Sequence, residues 1–120
     1  MWSAGLDLYA VEDGEIPPCE MRLVDLGIAA ELPTGTVGII KDRSSLGSKG
    51  FVTAAGVIDS DYRGEWKVAL RNTRLDVAFR WARGDRIAQV IIVPIIHVTP
   101  VEGEVKATVR GEGGFGSTGR

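Results

Sequence analysis

The sequence predicts a single all-β domain. Glycine and proline recur at short intervals along its 120 residues, and the apolar stretches between them are rich in valine and isoleucine. This pattern is typical of short strands joined by turns. Several apolar residues also stand side by side, as in Ile39-Ile40, Val57-Ile58 and Val90–Val93. Strands with such runs are buried on both faces, so we expect them in a sandwich core or against another subunit.

Six segments have the length and composition of strands. They are Arg22–Glu31, Gly35–Ile40, Phe51–Ala54, Glu65–Asn72, Val77–Trp81 and Arg86–Val93. The first is also compatible with a helix over Leu23–Glu31, because leucine, alanine and glutamate tolerate helix well. Its length and the turn at Pro33-Thr34-Gly35 favour a strand. Outside these segments, Lys41–Gly50 is predicted as a polar loop and Arg110–Arg120 as a glycine-rich tail.

The bulk composition argues against two classes of partner. The net charge of −2 and the pI of about 5.4 provide no basic field for polymeric nucleic acid. The most apolar run, Ile87–Ile96, is interrupted by Gln89 and Pro94 and is too short to span a membrane.

The single cysteine, Cys19, precludes an intramolecular disulfide and suits a reducing compartment. We therefore expect an intracellular, cytoplasmic protein.

The loop from Lys41 to Gly50 contains the ingredients of a phosphate-binding site. Arg43, Ser44 and Ser45 supply guanidinium and hydroxyl donors, and the glycines of the loop leave backbone N–H groups accessible. The same residues also fit a solvated polar turn without a ligand. The segment by itself does not decide between these interpretations.

The segment Gly56–Gly64 joins an apolar strand to two carboxylates, an aromatic ring and a glycine. Asp59 directly follows the apolar residues Val57 and Ile58. At that rim of the core a carboxylate can be held rigidly as a general base for a water molecule. The alternative is a hairpin whose aspartates accept hydrogen bonds from local backbone N–H groups.

The tail, Arg110–Arg120, has too few side chains to order itself by burial. Its lone ring, Phe115, has no core to join, whereas stacking on a nucleobase would contribute about 1–3 kcal/mol. We expect residues 1–109 to form one β-domain and residues 110–120 to form a flexible segment that closes a site. An unstructured terminus without a ligand is the alternative.

Three further residues place polar groups near apolar ones. Asp7 lies among the apolar residues of Ser3–Ala10, where it either caps a turn or supports a site. Gln89 interrupts an apolar run, and a buried amide needs hydrogen-bond partners, which are either structural or part of a ligand site. His97 has no cysteine or second histidine nearby and fits a surface or core position better than a metal site.

Taken in order, five segments resemble the five motifs of the trimeric dUTPases. Those segments are Ser3–Ala10, Asp42–Gly50, Gly56–Gly64, Gly84–Gln89 and Arg110–Gly119. Each is a modest signal alone, but together they cover nearly the whole chain. The resemblance implies a distorted jelly-roll-like β-barrel that assembles as a homotrimer with shared active sites. It also implies Mg²⁺-dependent hydrolysis of dUTP to dUMP and pyrophosphate by water attack on the α-phosphorus.

The resemblance assigns the catalytic and base-reading roles. Asp59 is similar to the carboxylate that deprotonates the attacking water. Tyr62 is similar to the ring that packs on the sugar and leaves no room for a 2′-OH. The hairpin Thr53–Gly56, which continues into Val57 and Ile58, resembles the segment whose main chain reads uracil. Backbone recognition of this kind rejects cytosine, because donors would then face donors.

The resemblance also assigns the phosphate, tail and metal residues. The remaining substrate-binding positions of the β-domain are matched by Arg43, Ser44, Ser45, Lys67 and Gln89. Arg110 resembles the catalytic arginine that pairs with the γ-phosphate. Phe115 resembles the ring that closes over uracil, and Gly116 and Ser117 follow it onto the phosphates. Asp7 resembles an acidic residue that supports Mg²⁺ through water, while the metal itself binds mainly through the triphosphate.

The chain departs from the common family pattern in the second motif. Ser45 stands where many cellular members have glycine, which makes the chain similar to retroviral-type members. Lys41 and Asp42 precede Arg43 where an apolar residue, glycine or proline is commoner. This pair leaves the local charge around the phosphate loop open.

Two other functions stay open on the sequence. A dCTP deaminase shares the fold and an Arg-Ser-Ser loop, and Phe51–Ala54 resembles that family. Deaminases carry a glutamate three residues before the asparagine that ends the next strand, whereas Ala69 stands at that offset from Asn72. The second alternative is an inactive relative that serves as a binding module. The complete set of acidic, aromatic and arginine residues argues against this alternative.

Overall fold

The computed structural model describes residues 2–116. Its elements are, in chain order, β1 (Gly5–Tyr9), β2 (Gly14–Ile16), β3 (Met21–Asp25), β4 (Thr36–Lys41), α1 (Ser44–Gly47), β5 (Phe51–Ala54), β6 (Val57–Asp59), β7 (Lys67–Asn72), β8 (Phe79–Trp81) and β9 (Arg86–Pro94). The predicted all-β class is thus confirmed. The helical content of this part of the chain is limited to the four residues of α1, which cannot cross a membrane.

The strands form three antiparallel sheets. The largest has the order β1-β9-β4-β6, the second has the order β3-β7-β5, and β2 pairs with β8. Strands that are distant in sequence are neighbours in each sheet, as expected of a jelly-roll-like fold. Within residues 2–116 the three sheets do not join into one closed barrel.

One hydrophobic core lies between the sheets. It consists of Leu8, Ala10, Ile16, Leu26, Ile40, Phe51, Trp66, Val68, Leu70, Phe79, Trp81, Ile87, Ala88 and Val90. Phe51 stacks on Phe79 with ring centroids 4.4 Å apart, and Phe79 contacts Trp81 at 5.2 Å. Full burial of one large apolar side chain contributes about 1.5–3 kcal/mol. The aromatic cluster therefore anchors β5, the strand that leads into the predicted uracil-reading hairpin.

The fully buried Asn72 is satisfied by the protein itself. Its Nδ2 donates to the carbonyl oxygens of Ile16 at 3.1 Å and Val77 at 2.8 Å, and its Oδ1 accepts from the Arg74 amide at 2.9 Å. These bonds fix the loop after β7 against β2. Asn72 thus has a structural role.

Two predicted segments differ from the structure. The strand predicted over Arg22–Glu31 ends at Asp25 and does not become a helix, because Gly27 has a φ of +67° and breaks the regular backbone. The chain beyond it stays close to Trp66, whose backbone pairs with Leu26 and Ile28. The predicted polar loop Lys41–Gly50 contains the last residue of β4 and the helical turn α1.

The other predicted strands match the structure to within two residues at each end. β1 and β2 were not among them, and β6 was indicated only by its apolar pair Val57-Ile58. β1 and β2 are short strands of five and three residues, and each has one buried residue, Leu8 and Ile16.

Candidate active site

The predicted phosphate loop folds around α1. Arg43 has extended backbone and its carbonyl oxygen accepts from the amides of Leu46 and Gly47 at 3.0 and 2.8 Å. The first amides of a helical turn have no partner within the helix, so those of Ser44 and Ser45 face outward. Asp42 lies on the other side of the turn, with Oδ1 3.4 Å from Thr53 Oγ1. A Cβ added to Gly47 would lie 2.2 Å from Asp42 Oδ2, so the turn closes tightly over this carboxylate.

Arg43 and Arg86 share one carboxylate, that of Asp7. Arg43 Nε lies 3.4 Å from Asp7 Oδ1, and Arg86 Nη1 lies 3.5 Å from Asp7 Oδ2. Arg43 Nη1 also donates to the Arg86 carbonyl at 3.4 Å and lies 3.5 Å from Ser45 Oγ. The side chains of Arg43 and Asp7 are about one-quarter and one-third exposed. The cluster therefore carries one net positive charge at the surface.

Arg86 belongs to the site but was not singled out by the sequence reasoning. A register shift between Leu8 and Tyr9 pairs Leu8 with Ala88 and Tyr9 with Arg86. This bulge buries both Ile87 and Ala88 and returns Arg86 to the face that carries Asp7. Simple alternation along β9 would not place Gln89 and Arg86, three residues apart, on one face. Local sequence therefore contains no signal for this position.

Gln89 lies at the centre of the outer face of the largest sheet. It is opposite Asp7 on β1 and opposite Lys41 on β4. Its Nε2 donates to the Asp42 carbonyl at 3.1 Å. A Cβ on Gly5 would lie 2.2 Å from Gln89 Oε1, so the glycine leaves room for the amide. The side-chain amide of Gln89 thus has the hydrogen-bond partner that the sequence predicts, and this partner is a backbone carbonyl. Gln89 also lines a depression at the surface.

Asp7, Arg43, Ser44, Ser45 and Gln89 together line a depression of about 340 Å³. It offers a guanidinium, two hydroxyl groups and an amide within a small polar area. Such convergent donors suit a bound polyanion. Residues from three of the five motif-like segments are therefore brought together in one protomer.

The hairpin between β5 and β6 turns sharply at Ala55 and Gly56. Both have positive φ, +56° and +100°, and the Gly56 carbonyl accepts from the Ile40 amide at 2.8 Å. A Cβ on Gly56 would lie 2.9 Å from the Ile40 carbonyl oxygen. The turn is therefore held close to β4, with Thr53 on one arm and Val57 on the other.

Asp59 ends β6 and is exposed. The Tyr62 amide donates to the Asp59 carbonyl at 3.1 Å, and Tyr62 Oη donates to the Glu65 carbonyl at 3.0 Å. A Cβ on Gly64 would lie 2.4 Å from Tyr62 Oη, so the phenol packs directly over that glycine. Ile58, between the exposed Val57 and Asp59, packs against the core. The carboxylate and the ring thus lie near each other on a firmly held turn.

Lys67 and Ala69 lie on β7, next to this region. Lys67 forms an ion pair with Asp25, its cross-strand partner on β3, and the hydrogen bond with this carboxylate raises the pKa of Lys67 above its ordinary value. Ala69 is buried opposite Ala54 on β5, so no carboxylate borders the base of the hairpin at this position.

The two halves of the predicted site are separated within one protomer. Asp59 pairs with Val37, whereas Gln89 pairs with Lys41 at the other end of β4. From a rise of about 3.3 Å per residue and a strand spacing of about 4.8 Å, the Cα atoms of Asp59 and Gln89 lie roughly 16 Å apart. Both residues nevertheless lie on the same outer face of the sheet.

The described part of the tail contains a local turn. Arg110 Nε donates to the Gly113 carbonyl at 2.5 Å, which closes a turn within the tail itself. Phe115 is fully exposed and has a φ of +50°, and Gly116 follows with a φ of +88°. Ser117 lies outside the described residues.

The described residues contain no group of three or more histidine, cysteine or acidic side chains that could hold a metal ion. Asp7, the predicted indirect metal residue, has an arginine beside each of its two oxygens. This donor set fits a Mg²⁺ ion carried by substrate phosphates better than one held by protein ligands alone.

Comparisons with known proteins identify related sequences over nearly the full length. A family model described as dUTPase matches residues 2–119. The deoxyuridine 5′-triphosphate nucleotidohydrolase of Corynebacterium glutamicum is 46% identical over 122 residues, which cover 98% of this chain and 81% of that protein. The corresponding protein of Gloeothece citriformis is 48% identical over 120 residues, with 97% and 82% covered.

Solved structures agree with these matches. The dUTPase of Staphylococcus bacteriophage 80alpha with dUPNHPP has a TM-score of 0.86 and 29% identity, covering 98% of this chain and 87% of that chain. A mutant dUTPase from phage phi11 of S. aureus, in which a structural Mg(II) ion is coordinated, has a TM-score of 0.74 and 26% identity, covering 88% and 84%. The range matched by the family model contains all five motif-like segments. The similarity to retroviral-type members stays a prediction.

Proposed function

The chain belongs to the dUTPase family, and we propose that its residues around Arg43 and Asp59 hydrolyse dUTP to dUMP and pyrophosphate. The enzyme class is that of its relatives, dUTP diphosphatase. The observation that carries the proposal is the depression lined by Asp7, Arg43, Ser44, Ser45 and Gln89. A polyanion-binding site assembled from three family motifs is what a nucleoside triphosphate requires.

The phosphate chain binds to the donors of this depression. The guanidinium of Arg43, the hydroxyls of Ser44 and Ser45 and the free amides at the start of α1 are directed to phosphate oxygens. Asp7 holds Arg43 in position until substrate arrives. Binding therefore fixes the triphosphate and neutralises part of its charge, which lowers the barrier to nucleophilic attack.

Asp59 acts as the general base on the attacking water. It takes a proton as the water oxygen forms a bond to the α-phosphorus, and the bond from that phosphorus to the bridging oxygen breaks. The electron pair leaves with pyrophosphate, so no covalent enzyme intermediate is needed. Tyr62, held by its hydrogen bond to Glu65 and by Gly64, forms the wall against the sugar.

Uracil is read by the hairpin from Thr53 to Val57. Its main chain is fixed by the Gly56–Ile40 hydrogen bond, and a fixed backbone discriminates well between hydrogen-bond donors and acceptors. At Ala69 this chain lacks the carboxylate that serves as the proton shuttle in deaminases. This difference favours hydrolysis of dUTP over deamination of dCTP.

Mg²⁺ supplies charge neutralisation and orientation of the phosphates when it is bound. Asp7 is the residue of this chain that would contact its water shell. Arg43 leaves Asp7 when a phosphate oxygen replaces the carboxylate as its partner, which frees that side of Asp7 for a hydrogen bond from water. The protein thus contributes an acceptor near the phosphates, while the phosphates themselves bind the ion.

The active sites are shared between protomers of a homotrimer. A general base must come within hydrogen-bond reach of its water, yet Asp59 and Gln89 are roughly 16 Å apart in one chain. The chain has an accessible area of 8981 Å², whereas a globular monomer of 12.9 kDa exposes about 6,300 Å². Its radius of gyration is 18.5 Å, against about 14 Å for a globular monomer of this length. Both excesses point to surfaces that a second copy covers.

The segment of residues 95–109, here called the arm, exposes much apolar surface. It lacks strands and helices, and its apolar side chains Ile96, Val98, Val101, Val105 and Val109 are at least four-fifths exposed. Apolar residues spaced in this way need a surface to pack on. Docking of the arm on another protomer carries the tail away from its own β-domain, so that Arg110 and Phe115 close a neighbour's site.

Complementation tests the sharing of sites. Arg43→Ala and Asp59→Asn variants are each inactive alone, but co-refolding them at equal amounts restores about one-quarter of the sites if each site takes these residues from two protomers. Sedimentation of the wild type should give a trimer. No recovery of activity in mixed trimers would contradict the shared site while leaving dUTP hydrolysis untouched.

We also infer an intracellular location from the substrate. A nucleoside triphosphate is polyanionic and is used where DNA is made. The exposed Cys19 thiol has no cysteine partner in the sequence, which is compatible with a reducing compartment. Fractionation of cells that express the full chain would check the location.

A substrate panel tests the function itself. Purified protein should release pyrophosphate from dUTP, and much more slowly from dCTP, dTTP and UTP, which probe the base, the methyl group and the 2′-OH. Release of ammonia from dCTP would instead establish a deaminase. Absence of turnover with every nucleotide would favour the inactive binding module.

A further inference from the structure

Lys41 is a cation at the edge of the phosphate site that the sequence left without a role. It is the last residue of β4 and is exposed. Lys41 lies directly opposite Gln89, which in turn lies opposite Asp7 on β1. Side chains of residues paired in this way share one face of a sheet, with Cα atoms about 4.5–5.5 Å apart. The ammonium group is therefore on the face that carries the depression around Arg43.

The acidic neighbour, Asp42, does not neutralise this charge. Successive residues of an extended chain point to opposite faces. Asp42 accordingly turns inward, where its Oδ1 lies 3.4 Å from Thr53 Oγ1 and its Oδ2 lies over Gly47. Among the described residues, the Lys41 ammonium takes part in no ion pair or side-chain hydrogen bond. The Lys41-Asp42 pair thus adds a free positive charge to the outer face.

The depression has little other spare positive charge. Arg43 and Arg86 are both drawn toward Asp7, so three charged groups carry one net positive charge. A triphosphate or pyrophosphate carries several negative charges. A flexible lysine stem beside Gln89 can bring its ammonium group to such an anion without displacing the arginines.

We propose that Lys41 is a substrate-binding residue that contacts the phosphate chain of the nucleotide and the released pyrophosphate. The inference rests on the proposed function and adds a cation to the donors that the family motifs supply. Lys41 raises the affinity for the polyanionic part of the ligand and has no effect on the nucleoside part.

Binding of inorganic pyrophosphate and of deoxyuridine, each measured by calorimetry in the presence of Mg²⁺ with the full-length protein, separates these effects. Lys41→Gln should weaken pyrophosphate binding about 10-fold, the loss of one charge-assisted contact. Lys41→Arg should stay within about twofold of the wild type, because it keeps the charge. Deoxyuridine, which has no phosphate, should bind all three proteins equally.

Lys49→Gln is the matched control, since Lys49 is an exposed lysine of the same loop whose side chain is not part of the proposed site. It should bind pyrophosphate like the wild type. Wild-type affinity in Lys41→Gln, or an equal loss in Lys49→Gln, would overturn the proposal. Turnover of dUTP by the wild type tests the proposed function separately, because these binding measurements need no hydrolysis.

Discussion

Gly56→Ala is the substitution whose effect follows most directly from the structure. Gly56 has a φ of +100°, a conformation that costs a residue with a Cβ about 1–3 kcal/mol. The added Cβ would also lie 2.9 Å from the carbonyl oxygen of Ile40, a backbone atom in the middle of the largest sheet. That oxygen cannot move freely, because the amide of the same residue bonds to the Gly56 carbonyl at 2.8 Å.

The total cost of Gly56→Ala is about 2–4 kcal/mol when the contact adds about 1 kcal/mol to the backbone strain. For a chain of this length, 1 kcal/mol corresponds to about 4 °C, so Tm should fall by about 8–16 °C. Displacement of the hairpin should also lower kcat/KM for dUTP about 100-fold, since small misplacements of a bound substrate are costly. Tm is measured by calorimetry at one protein concentration, because assembly makes it concentration-dependent.

Gly35→Ala separates the cost of the steric contact with Ile40 from the cost of backbone strain. Gly35 has a φ of +83°, but nothing lies within 4 Å of an added Cβ. This variant should therefore lose only the backbone part, about 1–3 kcal/mol or 4–12 °C, and keep full activity. Equal Tm losses in the two variants would show that the approach of Gly56 to Ile40 has no energetic consequence. Unchanged kcat/KM in Gly56→Ala would refute base reading by the hairpin.

Three further predictions concern the proposed chemistry. Asp59→Asn should lower kcat by about 10²–10⁴-fold with little change in KM in a pyrophosphate-release assay, as expected on loss of a general base. Asp61 is an exposed neighbour, and Asp61→Asn should keep most of the activity in the same assay. Deletion of residues 110–120 should leave a folded trimer by size exclusion but severely reduce kcat/KM; near-full activity would remove the tail from the mechanism. Lys67 should titrate above its ordinary pKa by NMR, and Asp25→Asn should return this pKa to the ordinary range. Because the folded-state pKa is raised, the ion pair stabilises the fold at pH values below the lysine pKa and is lost as pH rises through it.

The sequence predicts the fold best where one local property decides the structure. Phe51–Ala54, which is held by the aromatic core, has the bounds expected of it, and the continuous apolar run of β9 is found as a long central strand. β1 has no such property, because its five residues contain no long apolar run and only Leu8 is buried. It forms a strand because its backbone pairs with β9, and this partner is more than 75 residues away in the chain.

The composition of the site is predicted better than its arrangement. Arg43, Ser44, Ser45, Asp7 and Gln89, which the resemblance assigns to substrate or metal, line one depression. Arg86 was missed because only the bulge opposite Leu8 and Tyr9 turns it to this face. Which of Lys41 and Asp42 faces the site likewise depends on the register of β4 with β9. Register is a long-range property, and composition does not encode it.

In the proposed function, the Arg43–Asp7–Arg86 cluster contributes more to binding than to stability. Its ion pairs are 3.4–3.5 Å long, and their side chains are partly exposed, so each adds little to the free energy of unfolding. Because two guanidinium groups compete for one carboxylate, neither is held tightly. A phosphate oxygen can therefore take Arg43 from Asp7 at small cost, whereas a buried, bidentate pair would oppose substrate binding. In the proposed mechanism, Asp7 orients Arg43 in the empty site and accepts a hydrogen bond from water in the occupied site.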